Sequence, residues 1–298
     1  MLNPSFPKSI KCDAGSLYVA PLSIINRTVT GNESLDSGPE YRLQRAFGNE
    51  IWLKLTRAGL DPEFFENADV LEVCAGTGFL TFHILERCRP KRFTVNDISP
   101  VELDAARNLV TTAYPEARID WILGDMHTLG FGRKFDLIIG NSFIHHFHNV
   151  PKLLNHLASM LKKGGVFISL HEPSPMAPIV ESGKYSIWPI AAVAPEFVNN
   201  ILRNRFKGSP SVTDIWMFEA SELRQVACLA GFKEIEIVPW GLFRPLVVQQ
   251  NSLHLSDSKK SLSDVEISRF ELAVRLDALL NRVLPQRCFG SICLMCRA

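Results

Sequence analysis

The chain has 298 residues, 46% hydrophobic and 21% charged, a make-up that suits a globular protein with a sizeable core. Its 32 lysines and arginines against 31 aspartates and glutamates leave a formal charge of +1, so bulk attraction to nucleic acid or an acidic membrane is not implied. No apolar run approaches the ~20 residues of a membrane-spanning helix, residues 1–15 lack a leader's apolar stretch, and the seven cysteines are scattered as reduced thiols would be. A cytoplasmic protein with no transmembrane segment is expected.

Residues 1–40 carry proline, glycine and polar residues without periodicity and read as an arm. From Pro39 the pattern changes. Tyr41, Leu43, Phe47, Ile51, Trp52 and Leu55 recur at three- and four-residue steps, which predicts an amphipathic helix ahead of the first strand.

The run from Val70 to Thr81 joins a buried strand (Val70, Leu71, Val73) to a small-residue turn and a helix over Phe79 to Arg87. Gly76 and Gly78 let the backbone turn sharply and come close to a ligand. A second strand, Arg92 to Val95, ends at Asn96-Asp97. Asp97 stands 19 residues beyond Gly78, an interval that returns a carboxylate to the same sheet edge, where it can accept both protons of a ribose diol. A helix over Val101 to Thr111 leads to a third strand, Arg118 to Leu123, closing on Gly124-Asp125-Met126.

Phe135 to Ile139 forms the fourth strand and opens into Gly140-Asn-Ser-Phe-Ile-His-His-Phe-His148. A helix from Leu153 to Leu161 follows, with Lys162, Lys163 and Gly164 as its stop signal, and Val166 to Leu170 is the fifth strand, ending at His171-Glu172-Pro173. Ser221 to Leu229 reads as a helix capped by its serine, Glu234 to Val238 as strand six, and Phe289 to Cys296 as the last strand. Cys293 and Cys296, three apart on a strand, would face opposite ways and form neither a metal pair nor a redox pair. In an open parallel sheet ligands bind beyond the carboxyl ends of the strands, and glycines, acids and histidines fall there in succession.

Glu72, Gly76 and Gly78, then Asp97, Asp125-Met126 and the Ile144-His-His146 segment, resemble the motifs of the class I S-adenosylmethionine (SAM) methyltransferases over roughly residues 68–172 and 218–298. Two departures stand out: Cys74 replaces the first glycine of that family's turn, and Thr81 stands where a dinucleotide oxidoreductase would have its third glycine. The resemblance implies an α/β fold with a doubly wound, seven-stranded, mostly parallel sheet whose last strand is antiparallel, plus helical lid insertions. It implies residues 1–66 as arm and helical cover, 67–172 as the SAM-binding core, 173–218 as a lid, and 219–298 as the rest of the core with a helical insertion at 239–287. It further implies SAM as cofactor and S-adenosylhomocysteine as product. Glu72, Cys74, Ala75, Gly76, Gly78, Asp97, Ile98, Asp125, Met126 and Asn141 would hold the cofactor, with Tyr41 and Arg42 as possible contacts for its carboxylate.

Methyl transfer to a hydroxyl needs alignment and removal of a proton, and the histidines offer a base of suitable pKa. His146 is the first candidate, then His145 and His148, with Glu172 as a second base or an orienting group. A three-histidine metal site is disfavoured because the histidines are too close in sequence to converge, so no metal is expected. The aromatic residues Tyr185, Trp188, Phe197, Phe206 and Trp216 between strand five and the next helix suit a lid over a small-molecule or glycoconjugate acceptor, not nucleic acid. The helix predicted over Asp264 to Val283, with Ile267, Phe270, Val274, Leu280 and Val283 on its apolar face, belongs to the lid, to a homodimer contact, to a membrane surface, or simply to the core. An N- or C-directed methyltransferase, a SAM-fold cyclase or binding module, and a nicotinamide oxidoreductase remain as alternatives.

Overall fold

The computed structural model describes residues 41–177, 217–243 and 264–298. The expected arm, the aromatic residues of the lid and the loop ahead of the last helix lie outside them, as do the side chains of Tyr41, Arg42 and Ile267.

Helices α1 (Tyr41–Arg57) and α2 (Pro62–Asn67) precede strand β1 (Asp69–Glu72). There follow α3 (Phe79–Arg87), β2 (Arg92–Asp97), α4 (Pro100–Ala113), β3 (Ile119–Leu123), β4 (Phe135–Asn141), a 3-10 turn at Ile144–His146, α5 (Val150–Met160) and β5 (Leu161–Pro173). The chain ends with α6 (Ala220–Leu229), β6 (Glu234–Trp240), α7 (Asp264–Leu280), a 3-10 turn at Gln286–Cys288 and β7 (Ser291–Arg297). The strands form one seven-stranded sheet in the order β3-β2-β1-β4-β5-β7-β6. β1 to β5 run parallel, and β7 is inserted antiparallel to both β5 and β6. The expected sheet, including its antiparallel last strand, is therefore present.

Period-two alternation sends side chains to two cores. Leu71, Ile138, Phe167 and Leu294 pack on the face covered by α5 and α6, while Val70, Ile139, Ile168 and Cys293 pack on the face covered by α1, α3, α4 and α7. Cys293 and Cys296 fall in different cores, and both are free thiols that burial pushes up to about 12 and above. In α1, Phe47, Ile51, Trp52 and Leu55 take the inward positions that their spacing predicts, and Trp52 meets Phe65 of α2 edge-on at 5.5 Å.

Several local expectations are corrected. Helix α5 ends at Met160, and Lys162 to Gly164 belong to β5; Lys162 is held there by Asp69 and Asp136 at 3.0 and 2.7 Å, pairs between neighbouring strand ends that sequence order conceals. The cap of helix α6 falls two residues earlier than its serine suggests, at Glu219, with no side-chain cap. Helix α2 was not anticipated; Asp61 caps it by accepting from the Phe64 amide at 2.9 Å. In α7, Phe270 and Val274 face inward as expected, but Val283 lies beyond the helix and is 72% exposed. Among the described residues no helix is long and apolar enough to cross a membrane.

Candidate active site

The strand order reverses between β1 and β4, and the carboxyl ends of β1, β2, β4 and β5 bring most of the sequence candidates to that edge. β1 leads through Cys74, Ala75 and Gly76 into the turn. Cys74, Gly76 and Gly78 take positive φ of 53°, 52° and 83°. A Cβ on Gly76 would find nothing nearer than 4.0 Å, so this part of the turn leaves an open face. Gly78 is the opposite case, since a Cβ there would lie 2.8 Å from Cβ of Ala106; helix α4 is packed directly on it. The two glycines thus do different work, one leaving room for a ligand and the other for a helix.

Asp97, 6% exposed at the end of β2, ties this turn to the next. Its Oδ2 accepts from the Gly76 amide and its Oδ1 from the Ser99 amide, both at 2.8 Å. Each oxygen keeps a second lone pair, so the fixed carboxylate retains capacity for a diol. Beside it Ile98 and Leu123 are 54% and 53% exposed, an apolar edge suited to one face of a purine. Asp125 is also exposed and accepts from the His127 amide at 2.9 Å. Met126 departs from its expected place: it is 1% exposed and packs in the core with Leu71 and Phe143, so it supports the edge from beneath.

Beneath the turn sits Glu72, 1% exposed. Its Oε2 accepts from the Thr81 hydroxyl at 2.7 Å, and its Oε1 has no hydrogen-bond partner among the described residues. Burial pushes its pKa up to about 8, with the Asp97 charge adding to the rise and the Thr81 hydrogen bonds opposing it. This explains the threonine in place of a third glycine: its hydroxyl is the side-chain donor to a buried acid. Burial likewise drives the Cys74 thiol well above its ordinary range, helped by Asp97, Glu172 and Asp125, so Cys74 is a neutral thiol facing the acids of three strand ends.

At the end of β5, Glu172 is fully buried, and the expectation that it serves as a base is corrected by its surroundings. Oε1 accepts from the amides of Phe143 and Ile144, both at 3.0 Å, and from the Ser169 hydroxyl; Oε2 accepts from the His145 amide at 3.2 Å and meets His145 Nδ1 at 2.7 Å. Burial raises its pKa, but the His145 charge and these hydrogen bonds outweigh it, and the carboxyl is held below its ordinary range. Glu172 is the anchor of the 3-10 turn that carries the histidines.

His145 is 3% exposed, whereas His146 is half-buried and its ring lies 4.0 Å from that of His145. His148 turns elsewhere, with its ring 4.6 Å from that of His127, and burial lowers the pKa of both. The three sequence histidines do not converge, and among the described residues no group of His, Cys, Asp or Glu is arranged to hold a metal.

Sequence reasoning missed the cluster behind Asn141. Lys54 and Glu50 of α1 are 0% and 2% exposed, and both reach His171 at the end of β5, which in turn meets Asn141. A signal was available: positions 50 and 54 fall within the apolar stripe of Phe47, Ile51 and Leu55, where a solvated charge has no place.

Between β5 and α6 the Phe218 amide donates to the Pro173 carbonyl at 2.8 Å, so the two ends of the intervening segment meet at the β5 edge. A cavity of about 230 Å³ opens there between Met176, Phe218, Glu219, Arg287 and Ile292.

Together, the switch point, the glycine turn and the fixed Asp97 define a cofactor-binding α/β domain of the class I methyltransferase type. The comparisons agree. Residues 70–165 match the methyltransferase-domain family. A malonyl-[acyl-carrier protein] O-methyltransferase of Acetivibrio thermocellus is 31% identical over 107 residues, covering 36% of this chain and 36% of the relative. A ubiquinone/menaquinone biosynthesis C-methyltransferase of Cereibacter sphaeroides is 32% identical over 111 residues, covering 36% of this chain and 44% of the relative. Among solved structures, Haemonchus contortus phosphoethanolamine N-methyltransferase 2 in complex with SAM superposes with a TM-score of 0.53 at 16% identity, over 84% of this chain and 52% of that one, a likeness of fold. The chain spans less than half the length of these curated relatives. Residues 70–165 thus carry a methyltransferase domain, set in a sheet of the class I SAM-dependent methyltransferase fold.

Proposed function

We propose that this protein is a SAM-dependent methyltransferase that methylates a hydroxyl of a small molecule or glycoconjugate. The residues at the edge fit the cofactor: Asp97 for the ribose, Ile98 and Asp125 for the adenine, and the open turn at Cys74, Ala75 and Gly76 for the methionine end, with Gly78, Glu72 and Met126 supporting them from behind. SAM when bound supplies a methyl group on a sulfonium, a good leaving group, so the chain's own task is to align the acceptor and take its proton. The observation that carries the reading is the His145–Glu172 pair beside the half-exposed ring of His146. Glu172 fixes the His145 ring, which holds His146 at the acceptor side as the base. The cavity at the base of the lid, with Glu219 and Arg287 in its wall, suits a compact acceptor.

The test is release of S-adenosylhomocysteine from methyl-labelled SAM with hydroxyl, amine and carbon acceptors. On this reading a hydroxyl acceptor turns over, and His146→Ala lowers kcat by about 100-fold and removes the rise of rate with pH. Unchanged turnover across pH in His146→Ala would remove His146 from its role. Product from amine or carbon acceptors alone, with a flat pH profile, would favour N- or C-directed transfer; cofactor binding with no product from any acceptor would favour a cyclase or binding module. A homodimer through the outer face of α7, where Val265, Leu272 and Leu279 are exposed, and a cytoplasmic location complete the proposal; sedimentation velocity that gives a monomer would remove the first.

A further inference from the structure

Lys54 is an ammonium with no exposed surface in a helix packed against the sheet. Its Nζ lies 2.8 Å from Glu50 Oε1, meets His171 Nε2 at 2.5 Å, and sits 4.8 Å from the centre of the Trp240 ring. Glu50 Oε1 also lies 2.7 Å from His171 Nε2. Replacing such a buried ion cluster by apolar side chains of similar volume is commonly neutral or stabilising, so stability alone gives little reason for it. What distinguishes it is where it ends. His171 Nδ1 lies 2.7 Å from Oδ1 of Asn141, the last residue of β4, at the switch-point edge.

An amide oxygen only accepts, so the proton of this bond is on Nδ1 of His171. With that proton on Nδ1, Nε2 accepts from the Lys54 ammonium, which also donates to Glu50 Oε1, so one cation bridges the two neighbouring acceptors. The tautomer at one end of the cluster thereby dictates the amide orientation at the other. His171 is also in the left-handed region, at φ 58°, and its neighbour across the sheet edge, Ser142, is at φ 56°. A histidine rarely adopts this backbone, and such residues persist where their surroundings fix them. Here the ring is fixed through both nitrogens, and the Ser142 hydroxyl donates to the His171 carbonyl.

We propose that Lys54, Glu50 and His171 form a positioning relay: they hold Asn141 with its oxygen toward His171 and its NH2 group toward the cofactor edge, as a fixed donor to an oxygen of the cofactor or acceptor. This rests on the methyltransferase reading of the edge. The relay also makes α1 part of the site, since Lys54 and Glu50 come from the helix and not from the sheet.

Two substitutions separate the halves of His171. In His171→Asn the side-chain NH2 occupies the place of Nδ1 and still reaches Asn141, and asparagine tolerates the left-handed backbone. In His171→Gln the side-chain carbonyl oxygen occupies the place of Nε2 and still accepts from Lys54, while the link to Asn141 is lost. S-adenosylhomocysteine binding is measured by calorimetry on wild type, both variants and the same variants in an Asn141→Ala background. The relay predicts binding within threefold of wild type for His171→Asn and about tenfold weaker for His171→Gln, the worth of one well-placed hydrogen bond. It further predicts that the glutamine's cost disappears in Asn141→Ala. If glutamine binds as wild type while asparagine does not, or if the cost is unchanged in Asn141→Ala, the relay is overturned. Wild type that binds no S-adenosylhomocysteine is a separate result that overturns the cofactor reading itself. Nitrogen NMR of His171 gives a readout independent of ligand: the Nδ1–H tautomer supports the relay, and the Nε2–H tautomer contradicts it.

Discussion

Two buried carboxylates at the same sheet edge have opposite fates. Glu72, under the glycine turn, has one side-chain donor, the Thr81 hydroxyl, and burial raises its pKa to about 8. Glu172, under the histidine turn, is as deeply buried, yet five hydrogen bonds from Phe143, Ile144, His145 and Ser169 hold it ionised. Burial alone does not set the charge of an acid; the neighbouring charge, here His145, and the donors aimed at it do. The first carboxyl is largely neutral at pH 7 beneath the glycine turn. The second is an anion that organises a loop.

The strongest way to break this contrast is to remove the organising anion. Glu172→Ala leaves three amides, a hydroxyl and an imidazole without their acceptor, and a loss of about 3–5 kcal/mol is expected in urea denaturation. Glu172→Gln tests its charge. Because the folded pKa is depressed, wild-type stability from this group is present above the ordinary carboxylate pKa and lost as pH falls through the folded value, so the gap between variant and wild type narrows in acid.

Glu72→Gln has the opposite sign. With a raised pKa, the stability linked to Glu72 is fully present below its unfolded value and is lost as pH rises toward about 8. A glutamine cannot ionise, so the variant gains on wild type by up to about 1.4 kcal/mol per pH unit between pH 5 and pH 8. Parallel stability curves would show that Glu72 titrates normally. Thr81→Val removes the donor to Glu72 and costs about 1–2 kcal/mol, most above pH 8, where the acid is ionised. Ser169→Ala, one donor among five, costs about 1 kcal/mol, and because that hydroxyl helps hold the Glu172 pKa down, the loss of stability in acid becomes shallower than in wild type.

The strands were legible because period-two burial and glycine turns are written locally: Val70 to Gly78 and Phe135 to Asn141 can be read as strand and turn without knowing their neighbours. The sheet edge was legible for the same reason, since each strand end carries its own polar residue. What could not be read was made by register. Asn141 pairs with Leu170 in the sheet, which sets Glu172 under the amides of Phe143 and Ile144 and His171 beside Asn141. No spacing in the sequence announces that Glu172 will be saturated by donors and so be an anchor instead of a base. Lys162 was misread for a related reason, because its partners Asp69 and Asp136 are neighbours only once β1 and β4 lie side by side. Met126 shows a third limit: a motif position names a residue type, and packing decides whether the side chain lines the edge or lies beneath it.

The central claim is that the edge between β1 and β4 binds SAM through Asp97. Calorimetric titration with SAM and S-adenosylhomocysteine, with NAD as control, tests it on wild type and Asp97→Asn, which keeps one oxygen for the Gly76 or Ser99 amide but loses the charge that receives the diol. Wild type should bind SAM on the micromolar scale, about −8 kcal/mol, with no heat from NAD and at least tenfold weaker binding in the variant. Equal binding in both proteins, or binding of NAD in place of SAM, would contradict the account.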